Sequence, residues 1–141
     1  MTRLSRPSAW LFVLLAGIAS VTCSRSAEET LNELQRQREG AVDVVLLSPR
    51  DGLRHGGDTF IVEFRSVSSG SLVDVGTVRG GANMPMAGMP MMPGMLDIAT
   101  TDVAGRYEAT SDLSMAGTWR LIVDWEGPAG RGSVTFPATV Q

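Results

Sequence analysis

From Val42 onward, short runs rich in β-branched residues alternate with clusters of glycine, proline, aspartate and serine. This punctuation restricts the fold more than any other feature. A run of five to eight residues is too short for a helix with a face to bury, but it is the usual length of a strand. The runs cover residues 42–47, 59–65, 72–78, 95–100, 106–110, 119–125 and 133–140. Turn signals separate them: 48–52, Ser69-Gly70, Gly80-Gly81, Gly105 and 127–130. In the sixth run Trp119, Leu121, Val123 and Trp125 alternate with Arg120 and Asp124, so one face is buried and the other wet. Seven such strands in about 100 residues predict an all-β, immunoglobulin-like antiparallel β-sandwich. Its core falls to Val, Leu and Ile with Phe60, Phe64, Trp119 and Trp125. Pro137 places the last run at a sheet edge, where a missing N–H costs no ladder bond.

The first forty residues read differently. Arg3 and Arg6 precede an apolar run over 9–19, which is too short for a bilayer-spanning helix of about 20 residues. It has the make-up of a secretory signal. Cys23, the one cysteine in the chain, follows directly in Ser20-Val21-Thr22-Cys23. That placement resembles a bacterial lipobox, with Cys23 as the lipid attachment residue, although Thr22 and Ser20 depart from the usual Gly/Ala/Ser and Leu. A freely secreted domain and an uncleaved anchor stay open. Residues 24–40 are polar, with Leu31 and Leu34 as their large apolar residues; Ser26 with Glu29 reads as a capping box and Gly40 as a helix stop. A short polar helical or disordered spacer is expected there. The division is thus 1–22 signal peptide, 23–40 tether and 41–141 sandwich domain, in the periplasm or cell envelope and lipid-anchored to a bacterial membrane.

From Cys23 onward ten arginines face fifteen acids, a net charge of −5 with histidine neutral. This argues against nucleic acid and against electrostatic binding to anionic lipid, so the membrane is reached only through the N-terminal anchor. Catalysis is also not expected. The chain has one histidine, no lysine, no Gly-x-Ser-x-Gly elbow, no paired-cysteine motif and no phosphate loop. Asp74, Asp97 and Asp102 lie near turns and read as caps.

Six of the eight methionines fall within 84–95, Met-Pro-Met-Ala-Gly-Met-Pro-Met-Met-Pro-Gly-Met, read here as a loop between the third and fourth strands. Thioether sulfur is neutral and polarisable and suits Cu(I), and Ag(I) by the same softness. It needs no deprotonation and cannot be lost to a disulfide. Met84, Met86, Met89, Met91, Met92, Met95 and Met115 form the ligand pool. The same side chains also make adaptable apolar contact surfaces, so a metal-free module docking on an envelope protein, such as a metal transporter, is the second expectation, and packing onto the sandwich a third. His55, in a glycine turn, is a solvated residue or an auxiliary ligand.

Asn83-Met84-Pro85-Met86, then Met89, then Gly105-Arg106-Tyr107, then Met115-Ala116-Gly117-Thr118-Trp119-Arg120-Leu121 together resemble the YtkA-like domain family. The likeness runs over about 41–140. It implies an exported or membrane-anchored immunoglobulin-like sandwich associated with copper or heavy-metal handling. The family motif carries over to Met84, Met86, Met89 and Met115, with Tyr107 and Trp119 as structural residues. The family often has a histidine beside these methionines. This chain has none there, which turns the expectation from Cu(II) to Cu(I) held by thioethers.

Overall fold

The computed structural model describes residues 30–141. The signal peptide, Cys23 and the Ser26–Glu29 capping box lie outside them. Eight strands follow: β1 (Asn32–Glu39), β2 (Val42–Ser48), β3 (Gly56–Ser66), β4 (Thr77–Met84), β5 (Met92–Thr100), β6 (Arg106–Leu113), β7 (Gly117–Gly127) and β8 (Gly130–Val140). All neighbours are antiparallel, in the order β1-β2-β3-β6-β5-β4-β7-β8. β2-β3-β6-β5 and β4-β7-β8 give the four-over-three arrangement of an immunoglobulin-like sandwich. β1 is added at the edge.

The two layers are joined into one sheet by β5. Residues Met95–Thr100 pair with β6, whereas Met92, Pro93 and Gly94 pair with Met84, Asn83 and Ala82 of β4. Gly94 is where the strand changes partner. A Cβ there would stand 2.7 Å from Trp119 Cζ3 and 2.8 Å from Leu113 Cδ2. Gly80 plays the matching part on β4: a Cβ there would meet Leu96 Cγ at 2.6 Å. The Gly80-Gly81 pair, expected to end a strand, lies inside β4, because the close approach of β5 at Gly80 also demands glycine. The third run accordingly begins later than expected, at Thr77, and runs on to Met84. Of 72–76, Leu72 makes only an isolated bridge to Arg65, and Val75 is a buried residue ahead of the strand.

The spacer expected over 24–40 is corrected from Asn32 onward. Residues 32–39 are neither helical nor disordered but form β1, paired along the length of β2. As a helix this segment would bury little beyond its leucines. As a strand its backbone satisfies the open edge of β2, and Arg36 and Arg38 both reach Asp43. Arg38 Nε donates to Asp43 Oδ1 at 2.7 Å and Arg36 Nη1 to Oδ2 at 3.3 Å. Gly40, with φ of 57°, is the first residue of the two-residue hairpin loop between them.

The core lies between the layers. Trp119, Phe60, Phe64, Phe136, Leu46, Leu113 and Leu121 are fully buried. Phe64 meets Tyr107 and Trp125 edge-on, with centroids 5.4 and 5.3 Å apart. Tyr107 donates its hydroxyl to the Gly76 carbonyl at 2.9 Å, and Trp119 Nε1 donates to the Met115 carbonyl at 3.0 Å. Both act as structural residues. On the outer face the fully buried carboxylate of Glu63 is gripped by Arg65 and Arg106. Pro137 lies on β8, at the end of the strand order. The two edges almost meet: Gln35 of β1 donates from Nε2 to the Pro137 carbonyl at 2.6 Å.

Hydrogen bonding from Arg38 and then from Arg36 holds the Asp43 carboxyl below the usual carboxylate range, against the opposing effect of desolvation. A carboxylate depressed in the folded state stabilises at pH above its unfolded value and loses that contribution as pH falls through the folded one. We therefore expect Asp43→Asn to lower the stability at neutral pH and to flatten the acid limb of the stability curve, as read from urea midpoints between pH 7 and 3. An acid limb of unchanged slope in the variant would contradict this role.

Candidate functional site

Alternation along β4 and β5 sorts the methionines by face. On β4, Ala82 and Met84 point into the core. On β5, Gly94 and Leu96 do the same, and Met92 shares their side of the pleat. Met84 and Met92 are register partners, so their side chains leave the sheet as cross-strand neighbours at the end of the core. The turn between β6 and β7 covers them. Gly117 lies against Met84, whose Cε would be 2.7 Å from a Cβ at that position. Ser114 Oγ donates to Met92 Sδ at 3.2 Å. Met84 is 8% exposed, and Met86 and Met92 are half-buried and packed against the core.

The connection between β4 and β5 is shorter than expected. Met84 closes one strand and Met92–Met95 open the next, leaving 85–91 as the loop. The Met89 N–H donates to the Met86 carbonyl at 3.4 Å across its tip. Met89 and Met91 are 58% and 60% exposed. Met115 comes to the same end of the molecule on the β6–β7 turn, with its carbonyl held by Trp119 and its side chain 40% exposed. Met95 does not join them. It sits one residue past Gly94, so it faces outward, 50% exposed and opposite Asp112 of β6. Met84 and Met92 thus lie opposite one another at this end of the core, Met86 packs against the same core, and Met89, Met91 and Met115 stand exposed on the adjoining loop and turn.

His55 is on the β2–β3 connection. Its Nδ1 and its backbone N–H each lie 2.9 Å from the Gln141 carbonyl oxygen. Among the described residues there is no group of three or more His, Cys, Asp or Glu able to hold a metal ion. The side-chain donors described above at this end are thioether sulfurs and the Ser114 hydroxyl, and thioether sulfur is a soft donor. Sequence reasoning missed Ser114 as a neighbour of the sulfurs, and Gly94 and Gly117 as the small residues that make room for them. Only the recurrence of glycine within two residues of methionine in both segments hints at this.

A family model described as YtkA-like matches residues 36–124, from within β1 to within β7. No curated protein and no solved structure matches the chain.

A side chain at position 94 must push into Trp119 and Leu113. We expect Gly94→Val to destabilise the domain by about 1–3 kcal/mol, the usual range for overpacking a core, read as a lower urea midpoint at unchanged m-value. A midpoint equal to that of the unsubstituted chain would mean that the crossing does not depend on this contact.

Proposed function

The chain belongs to the YtkA-like family, and from that premise and the arrangement of its thioethers we propose that it is a soft-metal binding protein of the bacterial envelope. Its cargo is Cu(I), with Ag(I) accepted by the same chemistry. It holds or hands on the ion and catalyses no reaction. The observation that carries this reading is the pairing of Met84 with Met92 on one inner face, beneath the Ser114–Gly117 turn. Two sulfurs held by the sheet supply a fixed floor. Met86, Met89, Met91 and Met115, on the loop and turn around it, can close over an ion that needs only three or four ligands. Met95 faces away and contributes little. Lipid attachment at Cys23 would keep the domain at the membrane, outside the cytoplasm, where thiols oxidise and thioethers remain available.

A second reading is favoured by the exposure of Met89, Met91 and Met115. The same end would serve as an apolar docking surface for an envelope partner such as a metal transporter, with no metal involved. The two readings part on substitution by leucine, which keeps size and hydrophobicity but removes the sulfur.

The test is a competition titration of residues 27–141 with Cu(I) against a chromophoric chelator, under anaerobic reducing conditions. One ion per chain is expected to bind. Met84→Leu and Met92→Leu should each weaken binding by at least about tenfold, or ~1.4 kcal/mol, whereas Met95→Leu should leave it unchanged. Replacing all six methionines of 84–95 by leucine should abolish it in a chain that still unfolds cooperatively. Undiminished binding in that last variant would sink the metal reading.

Thioethers carry no proton to lose, so affinity should vary little between pH 5 and pH 8. A steep rise in affinity with pH would point instead to histidine or carboxylate ligands.

A further inference from the structure

The end of the sandwich that carries the methionines is also the end at which the chain enters it. Asn32, the first residue of β1, pairs with Ser48, the last of β2, and donates from its side chain to Asp51 at 3.1 Å. The β2–β3 connection that follows runs from there past Leu53, which bridges to Val140. Val140 pairs with Gly117, and Gly117 lies against Met84. Thr30 and the methionine tip therefore share one face of the molecule. The β1–β2, β3–β4, β5–β6 and β7–β8 connections occupy the other, about 35 Å away along the eleven-residue β7.

The tip itself is neutral and apolar. No residue from Gly80 to Leu96 is charged, nor is any from Ser114 to Thr118, in a chain that carries −5 from Cys23 onward. Met89, Met91 and Met115 project into solvent there, flanked by exposed Pro85, Ala87 and Pro90. A neutral apolar tip at the end where the chain enters the domain is suited to the boundary between lipid headgroups and acyl chains, where apolar side chains settle about 5–10 Å deep. The acidic remainder of the domain is repelled by anionic lipid and stays in water. Only seven peptide units separate Cys23 from Thr30, a reach of at most about 25 Å.

We propose that the methionine tip, Pro85–Met91 with Met115, rests in the surface of the bilayer to which the N-terminal segment attaches. The methionine end of the sandwich would then face the lipid boundary and not bulk solvent. This rests on the membrane attachment proposed above, and not on metal binding.

The experiment uses the full chain, purified with its N-terminal segment and reconstituted into phosphatidylcholine vesicles that carry a nitroxide-labelled lipid. Ala87→Cys, at the tip, and Ala129→Cys, in the β7–β8 turn, each receive a thiol-reactive fluorophore; the unsubstituted chain, treated alike, measures any labelling at Cys23. The nitroxide should quench the label at 87 at least about twofold more than the label at 129, because only a bilayer-facing group enters the interfacial layer. Adding Met91→Asp and Met115→Asp to the Ala87→Cys chain should remove that difference. Equal quenching at both positions in chains that float with the vesicles would overturn the proposal while leaving the attachment intact. Chains that fail to float would overturn the attachment and the proposal together. Concentration-dependent self-quenching at 87 that needs no lipid would assign the tip to a second copy of the chain, and would likewise overturn it. Cu(I) titration of the same preparations reads the metal site separately, so failure of one reading leaves the other standing.

Discussion

Two backbones must pass within van der Waals reach of neighbouring side chains for β5 to leave one layer and join the other. Gly94 lies under Trp119 and Leu113, and Gly80 under Leu96. Everything at the methionine end follows from this crossing. Because β5 begins in the β4 layer, Met92 is set opposite Met84. Because it ends in the β6 layer, the β6–β7 turn with Ser114 and Gly117 is carried over the top of that pair. A β5 confined to one layer would leave the two methionines on different sheets. Trp119 links the parts: its ring packs at the crossing and its indole N–H fixes the Met115 carbonyl.

The thioethers divide into two mechanical classes. Met84 and Met92 are held by strand pairing and by packing, so their sulfurs lose little freedom if they take up an ion. Met89, Met91 and Met115 sit on turns and retain theirs. Under the metal-binding proposal, a rigid pair with adaptable partners would favour capture followed by release more than permanent burial. Preorganisation comes from the sheet and adaptability from the side chain with the most rotatable bonds among the apolar residues.

Much of the sandwich was legible in the sequence. The alternation from Trp119 to Trp125 gave β7 its inner and outer faces, and Gly127-Pro128-Ala129-Gly130 gave the turn into β8. What was not legible shares one cause: a glycine reports that a side chain is impossible, but not why. Gly40 suits a helix stop as well as a hairpin loop, and the polar residues ahead of it carry no period-two apolar signal, because β1 is held by backbone pairing and by Arg36 and Arg38 on Asp43. Gly80-Gly81 reads as a turn in the sequence, but Gly80 is a close approach. At the candidate site, the methionines stand out in the sequence by composition and by the family motif. The separation of Met95 from Met84 and Met92 depends on the pleat of β5, which the prolines at 90 and 93 conceal.

The seam between β1 and β8 has a consequence for how the protein behaves among its own copies. An open sheet ends in two rows of unpaired amides and carbonyls, each a template for a strand from elsewhere. Here the two rows face one another, and a side chain, Gln35, bridges them to the carbonyl of Pro137, a residue with no N–H to offer an incoming strand. The sandwich therefore gains much of the edge protection of a closed barrel without a barrel's hydrogen-bonded closure, so a domain crowded at a surface presents little free strand edge for its neighbours to extend.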